Sequence, residues 1–117
     1  MGQALPAFDI LPAHPNPFDE RRILRGLQGR RRYRYVEPAI VPVVNGYRIE
    51  APCCSRTIDP DGGVIDIALL VHDPETDRWR LYRKDHAFGE WDLHGIYPRL
   101  VEILIELAED DERSFWQ

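Results

Sequence analysis

The chain has 117 residues, 44% of them apolar, with 20 acidic against 15 basic side chains and a formal net charge of -5. That length fits one domain with a small but real core rather than two. The acidic balance argues against a surface that binds phosphate backbone all round, although a local basic patch remains compatible with it. No run reaches the roughly 18 to 20 apolar residues of a membrane span, and the opening residues lack the basic and apolar regions of a secretion signal. A soluble, cytoplasmic protein with no membrane partner is expected.

Residues 1–15 read as an extended arm, because Pro6, Pro12 and Pro15 are mixed with Leu5, Phe8, Ile10 and Leu11 and proline suits neither a helix interior nor a central strand. Residues 16–117 read as the single folded domain. "NPFDERRILRGLQG" predicts a helix: Asn16 caps it, Pro17 takes the first position, Asp19 and Glu20 sit at its positive end and Gly29 stops it. Ile23, Leu24 and Leu27 form its inward stripe.

From Arg32 to His94 the pattern is that of strands. Asn45-Gly46 inside "VVNGYRI" suits a two-residue type I′ hairpin turn, and "DPDGG" (59–63) and "DPETD" (73–77) mark the next two turns. A last helix starts near Pro98 and carries Leu100, Val101, Ile103, Leu104, Ile105, Leu107 and Ala108, apolar over more than half its circumference. It predicts the lid of the core.

Because strands alternate sides, parity assigns Ile65, Ile67, Leu69, Val71, Trp79, Leu81, Trp91, Leu93, Tyr47, Ile49, Ala51 and Cys53 to the core face. The outer face then receives Asp66, Ala68, Leu70, His72, Arg78, Arg80, Tyr82, Lys84, Phe88, Glu90, Asp92 and His94. With neighbouring strands antiparallel, Trp79 pairs with Val71 and Leu93, and Leu81 with Leu69 and Trp91. Arg78 falls between His72 and His94. Lys84–Asp66 and Arg80–Asp92 become opposite-charge cross-strand pairs, each contributing about 0.2 to 1 kcal/mol.

On this register the ionisable groups of "WRLYRKDHAFGEWDLHG" are first of all a solvated, mutually paired sheet face. The functional alternative is a shallow cluster of His72, Tyr82, Asp92, His94 and Cys54 that binds a small anion or a metal. Two histidines flanking an arginine make poor zinc ligands, since the cation repels the metal. No phosphate loop, nucleophile elbow or zinc-spaced Cys/His set is present in the sequence, so no catalytic residue, metal or cofactor is assigned. Cys53 and Cys54, the only cysteines, are neighbours about 3.8 Å apart at Cα, too close for an ordinary disulfide. They read as reduced thiols.

"RRILRGLQGRRRYRY" holds seven arginines and no acid. Arginine interleaved with tyrosine is suited to nucleic acid, since guanidinium grips phosphate and rings stack on bases; the contacts would be Arg21, Arg22, Arg25, Arg30, Arg31, Arg32 and Arg34. The competing assignment leaves Arg21, Arg22 and Arg25 as a wet helix face and sends the later arginines to Glu102, Glu106, Glu109, Asp110, Asp111 and Glu112. The net negative charge favours the latter.

The blocks "GYRIE", "CCSRTID", "IDIALLVHDPETDRWRLYRKD", "EWDLH" and "DDERSFW" together resemble a bacterial domain-of-unknown-function family, number three thousand and twenty-four in its series, from about Tyr33 to Gln117. The resemblance implies a compact sheet protein with a closing helix and a Phe-Trp end, and it lends no catalytic residue. Departures are Gln117 where the family ends in Gly and a shorter stretch after Gly95.

The fold class that follows is α+β: an antiparallel meander of about five strands with an N-terminal helix and a C-terminal helix packed on one face. An interaction or accessory domain is the leading function, followed by nucleic-acid binding through Arg21–Tyr35 and then by a small-molecule or metal site on the outer face. The apolar arm together with Leu70, Tyr82 and Phe88 leaves apolar surface to spare, so a homodimer is expected.

Overall fold

The computed structural model describes residues 13–31, 36–52 and 63–116. Helix α1 (Pro17–Leu27) is followed by strands β1 (Ala39–Val43), β2 (Gly46–Pro52), β3 (Val64–Asp73), β4 (Arg78–Asp85) and β5 (Glu90–Tyr97), and then by helix α2 (Leu100–Glu109). The strands form one sheet in the order β1-β2-β3-β4-β5, each antiparallel to its neighbour. This is the α+β meander with a helix near each end that the sequence implies. No helix among the described residues is long and apolar enough to cross a membrane.

Helix α1 starts where the capping pattern places it, with the Asn16 side chain accepting from the Asp19 amide at 2.8 Å. Ile23 and Leu27 are fully buried, whereas Leu24 is 37% exposed, so the inward stripe is narrower than the sequence suggests. In α2 the buried side is Leu100, Ile103, Leu104 and Leu107, while Ile105 faces outward. Both helices share one core with Tyr47, Ile49, Ala51, Ile67, Ala68, Leu70, Trp79 and Leu81, and so cover the same face of the sheet.

"DDERSFW" is what closes that core. Asp110 ends α2 in the left-handed region, with φ 39°, and its buried carboxylate accepts from the amides of Ser114 (2.8 Å), Phe115 (3.2 Å) and Trp116 (2.8 Å). Those bonds turn the chain back so that Phe115 and Trp116 are each 1% exposed. The Trp116 indole donates to the Leu107 carbonyl at 2.8 Å. On its face lies the Arg30 guanidinium, 4.5 Å from the ring, which also donates to the carbonyls of Leu27 and Val36.

Three expectations need correction. First, the β1–β2 turn is centred on Val44 and Asn45, since Val43 already pairs with Gly46 and Asn45 alone takes a positive φ, 61°. Gly46 begins β2 instead, where a Cβ would stand 1.8 Å from the Leu70 carbonyl oxygen; glycine is required for that close approach and not for the turn.

Second, the register of β3 and β5 is not a simple alternation. Opposite β2, pairing shifts between Ile49 (with Ala68) and Glu50 (with Asp66), so Ile67 is an extra residue. Opposite β4, it shifts between Leu81 (with Gly95) and Tyr82 (with Leu93), so His94 is extra. A bulge of this kind flips the parity of everything on one side of it. Trp79 therefore pairs with His72 and Tyr97, and Leu81 with Leu70 and Gly95.

Third, the faces exchange members accordingly. Ala68 and Leu70 are fully buried under the helices, so Leu70 is not available to a partner. Leu69, Val71, Trp91 and Leu93 leave the core face and join Tyr82 and Lys84 on the other. Trp79 and Trp91 thus point to opposite sides of the sheet, which overturns the alternation-based register.

Candidate interaction face

Among the described residues, no helix or strand packs across the face opposite α1 and α2. The pairings, with the Lys84–Asp66 ion pair joining β3 to β4 in one of them, lay its side chains in three rows that run across all five strands. One row is Ala39, Glu50, Asp66, Lys84 and Trp91; the middle one is Val41, Arg48, Leu69, Tyr82 and Leu93; the third is Val43, Gly46, Val71, Arg80 and Ile96.

Apolar groups dominate the middle and third rows. Leu93 and Ile96 are each 52% exposed, while Val41, Val43, Leu69, Val71 and Tyr82 are half-buried. The charges in these rows are already paired within the chain: Arg48 bonds Glu50 and Asp66, each at 2.7 Å, Lys84 reaches Asp66 at 3.3 Å, and Arg80 reaches Asp73 at 3.2 Å. The bonds to Glu50 and Asp66 hold the Arg48 guanidinium further toward its charged form, and Lys84 also sits 4.8 Å above the Trp91 ring. Pairing of this sort lets a face be covered without stranding a charge, the condition a docked surface must meet.

The sheet edges offer less. β1 carries Pro42, which cannot donate to a further strand, and β5 carries the His94 bulge; both are common ways of discouraging edge-to-edge pairing.

The residues expected to share an outer-face ligand site are separated. Only Tyr82 lies on the open face. Asp92 pairs with Arg83 on the opposite parity. His94 bonds Glu106 on α2 at 3.1 Å and rests edge-on against Phe115. His72 is on the covered side, bonded to Asp77 at 2.9 Å and packed on Trp79. Cys54, like Cys53, lies outside the described residues. Of the expected ion pairs, Lys84–Asp66 forms, whereas Arg80 takes Asp73 rather than Asp92.

His72 belongs instead to an aromatic cluster at one end of the covered face. The His14 ring lies 4.9 Å from His72 and 4.5 Å from Trp79, and its Nδ1 is 3.2 Å from the Tyr47 hydroxyl and 3.0 Å from Asp19. Burial lowers the pKa of His14 and raises that of Tyr47. This cluster pins residues 13–16 to the sheet; the rest of the arm, residues 1–12, lies outside the described residues.

The arginine segment is divided as well. Arg21, Arg22 and Arg25 are exposed on α1, with Arg22 3.4 Å from Asp19. Arg30 is 2% exposed and held inside. Arg31 pairs with Asp111 at 3.4 Å, and its amide donates to the Ala108 carbonyl. Arg32 and Arg34 lie outside the described residues.

Sequence reasoning did not assign Val41, Leu69, Val71, Leu93 and Ile96 to a binding surface, although a signal was present. Ala68, Leu69, Leu70 and Val71 are apolar without a break, which marks a strand with partners on both sides. Leu93 and Ile96 stand three apart around a glycine, a spacing that simple alternation cannot place on one side but a bulge can.

No curated protein and no solved structure matches the chain at a significant level. A family model matches residues 11–117, taking in α1 and its arginines as well as the blocks from Tyr33 onward. The chain belongs to that family, a domain of unknown function (DUF3024).

Proposed function

We propose that this is a protein-interaction domain, homo-oligomeric and without catalytic chemistry of its own, whose docking surface is the open face of its sheet. One observation carries the reading: among the described residues, a five-stranded sheet is covered on one face only, and the other presents apolar rows with self-neutralised charges. Exposed apolar area of that extent is uncommon on a surface meant to stay wet. A bacterial cytosol is the setting suggested by the adjacent cysteines and by the family resemblance.

The test places a photo-crosslinking side chain in living cells at Leu93, with Val101 on the outer side of α2 as the control. Protein adducts that form at Leu93 well above those at Val101 support the reading. Equal or absent adducts at the two positions overturn it.

A second reading, nucleic-acid binding, is favoured by one feature, the exposed Arg21, Arg22 and Arg25 on one helix. It requires retention of a mixed-sequence oligonucleotide that falls steeply with salt and is lost when those three are replaced by alanine. Absence of retention at low salt retires it.

A further inference from the structure

We propose that the occupant of the open face is a second copy of the same face, seated across a two-fold axis that runs parallel to β3, so that β1 lies over the partner's β5 and β2 over its β4. This rests on the interaction reading above and adds the identity and orientation of what docks.

The rows themselves argue for it. Rotation about an axis along β3 keeps each row in place and reverses the strand order. Val41 of one copy then meets Leu93 of the other, Val43 meets Ile96, Leu69 and Val71 meet their own equivalents, and Asp66 meets Asp66, a like-charge contact that the bonds of each carboxylate to Arg48 and Lys84 of its own chain offset. Glu50 comes opposite Lys84, a pairing of unlike charges. An axis at right angles to the strands would place β1 on β1 and β2 on β2, with the rows reversed. It keeps only the self-contact of Leu69 and brings about neither the Val41–Leu93 and Val43–Ile96 contacts nor the Glu50–Lys84 pairing.

Size is adequate too. Five strands about 4.8 Å apart and some eight residues of about 3.3 Å each give a face of roughly 600 Å² in projection. Accessible area exceeds projected area, which brings this close to the ~800 Å² per partner of a standard interface. Two twisted sheets packed in this way cross at about 30°, the aligned arrangement of sandwich folds.

The experiment uses the full chain with Cys53→Ser and Cys54→Ser as background and two single-cysteine variants, Val41→Cys and Leu93→Cys, treated with a short bis-maleimide. On one chain the two positions sit on opposite edge strands, roughly 19 Å apart. The expected result is a covalent dimer when the two variants are mixed and none from either variant alone. Linkage of Val41→Cys to itself overturns the orientation.

Sedimentation of the native protein provides the independent readout. Dimers are expected at tens of micromolar, with Glu50→Lys weakening association about tenfold through like-charge contact and Lys84→Glu in the same chain restoring it. A monomer at every concentration overturns the second copy as occupant. The interaction reading then stands or falls separately on the Leu93 crosslinks in cells, whose adducts would be another protein.

Discussion

The two faces of this sheet are made from the same strands, yet they are used in opposite ways. Under the helices, Tyr47, Ile49, Leu70 and Leu81 are fully buried and Trp79 is 5% exposed; on the other side Leu93 and Ile96 keep about half their surface in water, at 52% each. Composition does not make the difference, since both faces are rich in aliphatic side chains. What separates them is where the helices land and where two bulges redirect side chains. Apolar character in a strand of this protein therefore signals either stability or recognition, and only the register tells which.

The largest effect that would sharpen this contrast is at the far end of the core. Trp116→Ala removes a fully enclosed indole, its bond to Leu107 and the surface on which Arg30 lies, and should destabilise the fold by about 3 to 5 kcal/mol in denaturant unfolding. Next comes Asp110→Ala, which takes the acceptor from three amides and should cost about 1 to 3 kcal/mol. Asp110→Asn keeps one oxygen and tolerates the left-handed backbone, so it should lose less than the alanine variant. An equal loss in the two would mean that the tail is held by packing alone.

Much of this was legible in the sequence, and the failures have a common cause. The capping of α1 by Asn16, the existence of α2 as a cover for the core and the strand order follow from local chemistry and short connections. The parity of β2 and β4 also holds, because neither strand carries an extra residue. Ile67 and His94 are ordinary residues whose status as bulges depends on the strand opposite, so no local pattern names them. Once each is inserted, everything beyond it changes sides, and that is why the expected His72, Tyr82, Asp92 and His94 cluster came apart. Gly46 was misassigned for a related reason: its need is set by the Leu70 carbonyl, a neighbour more than twenty positions away.

A smaller effect concerns pH and two partly buried histidines, His14 on the covered face and His86 in the turn between β4 and β5. Burial is the main cause that lowers the pKa of both His14 and His86, with His72 acting in the same sense on His14 and Lys84 on His86. Asp19 and Asp77 oppose the shift at His14, as do Asp66 and Asp85 at His86. A base whose folded pKa lies below its unfolded value contributes stability that is complete above the unfolded pKa, near 6.5, and is lost as pH falls through it. The melting temperature should accordingly decline from pH 7.5 to 5.5, and His14→Gln should flatten part of that slope. A slope unchanged in the variant would remove His14 from the account.

The smallest change in fold stability is expected where the change in association is greatest. Leu93→Ala and Ile96→Ala should move monomer stability by no more than about 0.5 kcal/mol, yet weaken self-association measured by sedimentation. If either instead destabilised the monomer as a core truncation does, the two faces would not be the distinct surfaces described.

Phe115 and Trp116 also bear on how the molecule comes into being. A domain leaving the ribosome usually gathers structure from its N-terminal side as it emerges. Here the helices and the sheet can be fully synthesised while the cover over Leu107 and Arg30 is still inside the tunnel. The nascent chain must wait, with one side of its core open, until residue 116 is free. The tail acts in this sense as a clock for folding: commitment to the native state cannot precede the release of Trp116, and a nascent chain that stalls short of that point presents an exposed core to chaperones and proteases.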